Sequence, residues 1–132
     1  MQVHDDRGVL VCLDRPPARI VSLVPSTTET LHALGAPVVG VTRFCARPAD
    51  RVAALPKVGG TKDVDPERVR ALAPDLIVGN CEENTREIFD ALAGIAPVYA
   101  AFPRDVDGAL ADLDRLGDLV GRPVAALRAR IE

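Results

Sequence analysis

Cys45 and Arg51 stand with five residues between them in the stretch CARPADR. That is the spacing of a phosphatase loop, in which a thiolate of low pKa attacks phosphorus while a guanidinium clamps its oxygens. Such a loop must offer a ring of backbone amides to a dianion. Here Pro48 has no amide proton, Asp50 would repel phosphate, and no glycine lets the backbone approach. A cysteine-dependent enzyme using Cys45 and Arg51 is therefore carried only as the alternative reading. Cys81 is a second candidate nucleophile, but no histidine is placed to activate it, and a small buried thiol is the simpler expectation. The three cysteines, Cys12, Cys45 and Cys81, are odd in number and widely spaced. A self-contained disulfide framework and a C-x-x-C metal or redox pair are both excluded. His4 and His32 are too far apart in the pattern to build a metal site with convergent ligands, and His32 reads as a helix-face residue.

The elements that must position any chemistry are regular. At 132 residues the chain has room for one domain. With 48% hydrophobic and only 3% aromatic residues, its core must be filled by Val, Leu, Ile and Ala. A net charge of -3 with acids and bases interspersed gives no basic stripe for a phosphate backbone, so nucleic acid is not an expected partner. Asp5, Asp6 and Arg7 interrupt any apolar leader, and no later run approaches membrane-spanning length. As written, the polypeptide carries no export address and is expected in the cytoplasm.

A short hairpin is predicted around Gly8, then a buried strand at Ile20 to Val24. Ser26-Thr27-Thr28-Glu29 has the form of a capping box that opens a helix running to Gly35. Val38 to Thr42 supplies the second strand. Asp65 and Pro66 open a short helix with Val69 and Leu72 inward, and Leu76 to Gly79 forms the third strand. A helix is expected over 82–92, a fourth strand over 97–100, and a long helix from Asp105 with Val106, Ala109, Leu110, Leu113, Leu116 and Val120 at helical spacing. Beyond Gly121 a further helix starts at Pro123. Its residues Val124, Leu127 and Ile131 form an apolar stripe that a second copy of the chain could cover. Alternation of this kind predicts an α/β fold, a Rossmann-like three-layer lobe with about four parallel strands.

In an open parallel sheet, ligands gather outside the carboxyl ends of the strands. That edge collects Pro25, Ser26, Thr27, Phe44, Cys45, Gly60, Thr61, Lys62, Asn80, Cys81, Glu82 and Phe102. Unpaired amides at the helix start near Ser26 can hold an acceptor group, and Phe44 offers an apolar wall. Residues of these types also occur in βα loops that bind nothing.

Three blocks stand in order along the chain: PPARIVSLVPSTTETLHALGAPVVGVTRFCARP, LPKVGGTKDVDPERVRALAPDLIVG, and EEN at Glu82 to Asn84. Together they resemble the amino-terminal lobe of class III, helical-backbone periplasmic binding proteins, the cobalamin and iron-siderophore receptors of ABC importers. The resemblance implies a solute receptor and not an enzyme, with an α/β lobe over 1–121 and the start of a connecting helix over 122–132. The carboxyl-terminal lobe of the family is absent from this chain. Phe44, Thr61 and Asn80 match ligand-facing positions, with Ser26 and Cys45 nearby; vitamin B12 receptors tend to carry aromatics where Thr61 and Asn80 stand. The implied ligand is a metal chelate such as a corrinoid, haem or ferric siderophore, and no covalent cofactor is implied. Glu67 matches a glutamate that pairs with arginines of the ABC transporter permease, though an acid in a helix's first turn also complements the helix dipole. The GGTK and EEN blocks resemble a subgroup often found without a signal peptide, in which a His usually stands where this chain has Arg47.

Overall fold

Short runs of β-branched residues bounded by Pro and Gly become the strands of the computed structural model, which describes residues 1–131. Glu132, the last residue of the expected connecting-helix segment, lies outside the described residues. β1 (Gln2–His4) and β2 (Leu10–Cys12) form the antiparallel hairpin around Gly8. β3 (Ile20–Ser22), β4 (Val38–Val41), β5 (Leu76–Asn80) and β6 (Val98–Ala101) form one parallel sheet in the order β4-β3-β5-β6. The helices are α1 (Pro25–Ala33), α2 (Ala49–Val52), α3 (Pro66–Ala71), α4 (Arg86–Leu92), α5 (Val106–Val120) and α6 (Ala125–Ile131).

Alternate strand residues face opposite sides, and both sides are covered, which is why the strands read as unbroken apolar runs. Ile20, Leu76, Val78 and Tyr99 pack with Leu31 of α1, Leu116 and Leu119 of α5, and Val11 of the hairpin. Val21, Ile77 and Val98 pack with Val69 of α3 and Phe89 and Leu92 of α4. The three-layer architecture expected from the alternation is the one observed.

An edge strand with unpaired backbone groups invites pairing with another chain, and β6 is such an edge. The turn of the hairpin covers it. Ala100 N donates to Asp5 Oδ2 (3.0 Å), Asp6 N donates to Ala100 O (3.1 Å), Arg7 Nη2 donates to Val98 O (2.9 Å), and Phe102 N donates to Asp6 Oδ2 (2.5 Å). The charged triplet at residues 5–7 thus covers the sheet edge with three side-chain bonds and one backbone bond in place of a fifth strand.

Three local expectations are corrected. No capping box forms at Ser26: Val24 is the N-cap, and Pro25 occupies the first helical turn. Proline's fixed φ suits that position, so the helix starts early and Ser26 is already helical. Thr28 N makes the first intrahelical bond, to Val24 O (3.1 Å), and the Thr28 hydroxyl ties the helix start to β3 by donating to Ser22 Oγ (2.8 Å). The helix expected from 82 begins at Arg86 under the Thr85 N-cap, because the side-chain Oδ1 of Asn80 accepts from the amides of Glu82 (2.7 Å) and Glu83 (3.2 Å) and holds them in a turn. The stripe on the last helix is also less open than expected. Val124 and Leu127 pack against the core, and Val124 fills a notch at Gly117, where a Cβ would lie 2.3 Å from Val124 Cγ1. Arg128 pairs with Asp114 (2.7 Å) across the same interface, leaving Ile131 as the large apolar residue of α6 that stays exposed.

Candidate functional site

The carboxyl ends of the four parallel strands place four loops along one rim. The loop after β4 is tied to the loop that precedes α3, since Arg43 N donates to Gly59 O (2.9 Å) and Arg43 Nη2 meets Asp63 Oδ2 (3.4 Å). The same guanidinium lies over the Phe44 ring, 5.0 Å from its centroid, and holds an aromatic face that is 56% exposed. The pre-α3 loop is tied in turn to the loop after β5, because Lys62 Nζ donates to Glu82 O (2.7 Å).

A single buried side chain fastens the centre of this rim. Asn84 Nδ2 donates to Thr61 O (2.8 Å) and approaches Leu23 O (3.4 Å), while its Oδ1 accepts from Asn80 N (3.0 Å). One carboxamide therefore joins the loop after β3, the loop that precedes α3 and the end of β5. Gly79 permits this: a Cβ there would lie 2.7 Å from both Asn84 Oδ1 and Phe89 Cε1.

Of the residues expected at the site, Phe44, Gly60, Thr61, Lys62 and Asn80 lie on these connected loops. Ser26, Thr27 and Asn80 line one small cavity of about 180 Å³ beside the first turn of α1, which Pro25 opens. Two residues do not join them. Cys45 is 3% exposed, with its Sγ 3.1 Å from Thr28 Oγ1 and 3.3 Å from Thr42 Oγ1, so its thiol is a packing element beneath the rim. Cys81 turns to another flank, where it lines a groove with Arg7, Val9, Arg86, Phe89 and Asp90. Burial pushes its thiol pKa up, the opposite of what a nucleophile needs.

The phosphatase arrangement is not assembled. Arg51 lines a separate open groove with Glu29, His32 and Arg47, to which Cys45 contributes nothing. Burial lowers the pKa of His32, and nearby Arg51 lowers it further. No group of three or more His, Cys, Asp or Glu residues among the described residues could hold a metal ion. Thiol labelling should report this layout: Cys12 is exposed and should react at once, Cys81 slowly, and Cys45 only after unfolding. Fast labelling of Cys45 in the folded chain would contradict the placement of its sulfur.

Glu67 sits in the first turn of α3 with its side chain 79% exposed, 3.6 Å from Arg70, and Asp65 caps the helix through the Glu67 amide (3.0 Å). Two residues at this end of the molecule escaped the sequence reading. Asn84 was visible only as part of a block, and no propensity marks a loop asparagine as buried. Asp112 also lines the small cavity; its signal was an acid close to Ala109, Leu113 and Leu116 on the inward side of α5.

Comparison with known proteins adds a family. A family model described as periplasmic binding protein matches residues 20–129. The vitamin B12-binding protein of Yersinia pestis is 33% identical over 114 residues, covering 84% of this chain and 40% of that protein. A periplasmic haem-binding protein from Pseudomonas aeruginosa superposes with a TM-score of 0.73 at 29% identity, over 87% of this chain and 40% of that one. An iron-uptake ABC transporter substrate-binding protein from Streptococcus pneumoniae superposes with a TM-score of 0.78 at 26% identity, over 91% and 44%. The chain thus spans less than half the length of the relatives it matches. The cytoplasmic placement expected earlier finds no support among them. No helix of the described residues is long and apolar enough to cross a membrane.

Proposed function

The chain belongs to the periplasmic binding protein family, and from that premise we propose that it is a solute-binding lobe for a metal chelate such as a corrinoid, haem or ferric siderophore, serving an ABC importer. The observation that carries this reading is the continuity of the rim: Phe44, Thr61 and Asn80 stand on loops that hydrogen bonds join into one surface. That surface offers an exposed ring, backbone groups and a few side-chain donors, the mixture that suits a bulky chelate with a partly flat face. No catalytic step is required of it. A single lobe leaves much of such a ligand in water, so binding is expected to be weak.

Absorbance titration with cobalamin, haem and ferric siderophores tests the reading, the ligands themselves supplying the signal. At least one class should give a saturating difference spectrum, and Phe44→Ala should weaken it by roughly tenfold, the equivalent of losing most of a buried aromatic contact. Flat titrations with all three classes at millimolar chain would remove the receptor reading.

The relatives' importers suggest a membrane permease as partner, and Glu67 is the residue we propose for its docking face. The support is its exposure on a helix start beside the rim. Glu67→Gln should leave chelate affinity within about twofold, since the side chain points into solvent, while weakening retention of the chain on a reconstituted importer. Unchanged retention would take Glu67 out of that surface.

A further inference from the structure

The 180 Å³ cavity beside α1 is too small for a whole chelate and the right size for one arm of it. Its walls are largely apolar, formed by Pro103, Leu113 and Leu116, with Ser26 and Asn80 also lining it. Asp112 is the charged residue in that lining. Tyr99, itself fully buried, donates its hydroxyl to Asp112 Oδ1 (2.5 Å). Among the described residues Asp112 Oδ2 accepts no hydrogen bond, and the side chain keeps 16% of its surface open.

The charges around it do not balance. Arg115 is the cation of the cluster, and it lies closer to Asp6 (2.9 Å) than to Asp112 (3.9 Å). Two carboxylates therefore share one guanidinium, and Tyr99 is neutral because burial, with Asp112 beside it, pushes its pKa far up. One negative charge is left over, and it faces the cavity. A half-buried carboxylate with a free oxygen and only a shared, more distant countercharge is a costly feature that a ligand cation would relieve.

We propose that Asp112 is a specificity residue of this face, selecting chelates whose peripheral arm ends in a protonated amine. The inference rests on the receptor reading above and narrows its ligand class. The ammonium would enter between Ser26 and Asn80, donate to Asp112 Oδ2, and rest its methylene stem against Pro103 and Leu116.

Burial raises the Asp112 pKa, so its ionisation costs the folded state stability as pH rises through the window above 3.8. Asp112→Asn keeps an acceptor for the Tyr99 hydroxyl and removes that cost, so this variant should fold at neutral pH at least as stably as the parent.

The test is a pair of ferric trihydroxamate chelates, one with a free terminal amine and one with that amine acetylated, titrated into the chain and into Asp112→Asn. The amine form should bind the parent about tenfold more tightly than the acetylated form, as a charge-assisted hydrogen bond in a dry pocket would give. In Asp112→Asn the two should bind alike, at the acetylated form's parental affinity. If both chelates bind equally to the parent, or the preference survives in the variant, the Asp112 inference is wrong while the receptor reading stands. If neither these chelates nor haem nor cobalamin binds, the receptor reading falls and takes the inference with it.

Discussion

Replacing Asp5 by alanine is expected to destabilise the chain by about 3–5 kcal/mol, the range for removing one partner of a buried, hydrogen-bonded ion pair. The Asp5 side chain is fully buried, and its two oxygens accept from Arg7 N (2.9 Å), Arg7 Nε (2.8 Å), Val9 N (3.1 Å) and Ala100 N (3.0 Å). Alanine would strand the Ala100 amide on the open edge of β6 and leave the half-buried Arg7 guanidinium without its carboxylate. Arg7 also lies over the Phe89 ring, 5.1 Å from its centroid, so α4 would feel the loss. Urea unfolding followed by circular dichroism measures the effect directly. A loss below about 1 kcal/mol, the range of a surface pair, would show that the hairpin does not hold the edge.

The second large effect belongs to Asn84. Asn84→Ala removes the acceptor of the Asn80 amide and the donor to Thr61 O while opening a polar hole in a site that is 2% exposed. A cost of about 2–3 kcal/mol follows from orphaning two partly buried backbone groups and emptying a buried polar site. The informative comparison is Asn84→Asp, which preserves shape and the acceptor. A carboxylate cannot donate, and it would face the carbonyl oxygens of Thr61 and Leu23, so the aspartate should be no better tolerated than alanine. Because this carboxamide sets the spacing of three rim loops, the proposed chelate binding should weaken with stability in both variants. Rescue by aspartate would mean that the acceptor role alone matters, and the loops would then not depend on the bond to Thr61.

What could be read before the structure follows from where the information lies. Strand runs such as IVSLV and LIVG carry the fold class because burial on both faces leaves no room for polar residues, and Asp65-Pro66 marks a helix start through the backbone of its own residues. The capping box at Ser26 failed because two local signals competed, and Pro25 imposed its φ one residue earlier. The hairpin triplet read as charge because its role depends on β6, more than ninety residues away in the chain. Long-range pairings of that kind leave no periodic trace. The rim residues Phe44, Thr61 and Asn80 were legible from their places after strand ends, and the resemblance singled them out from their neighbours. Asn84 acts through hydrogen bonds to three separate segments and Asp112 sits on a cavity wall, and composition and spacing encode neither. Cys45 shows the converse: its spacing to Arg51 suggested chemistry, yet two threonine hydroxyls and the surrounding core claim its sulfur.

The most direct measurement of the central claim is amide-resolved NMR of the chain during titration with the chelate that binds best. Shifts should converge on Ser26, Thr27, Phe44, Thr61 and Asn80, moving together along one saturation curve. Shifts confined to the groove of His32 and Arg51, or spread over both helix layers without a common midpoint, would contradict a ligand face at the carboxyl rim of the sheet.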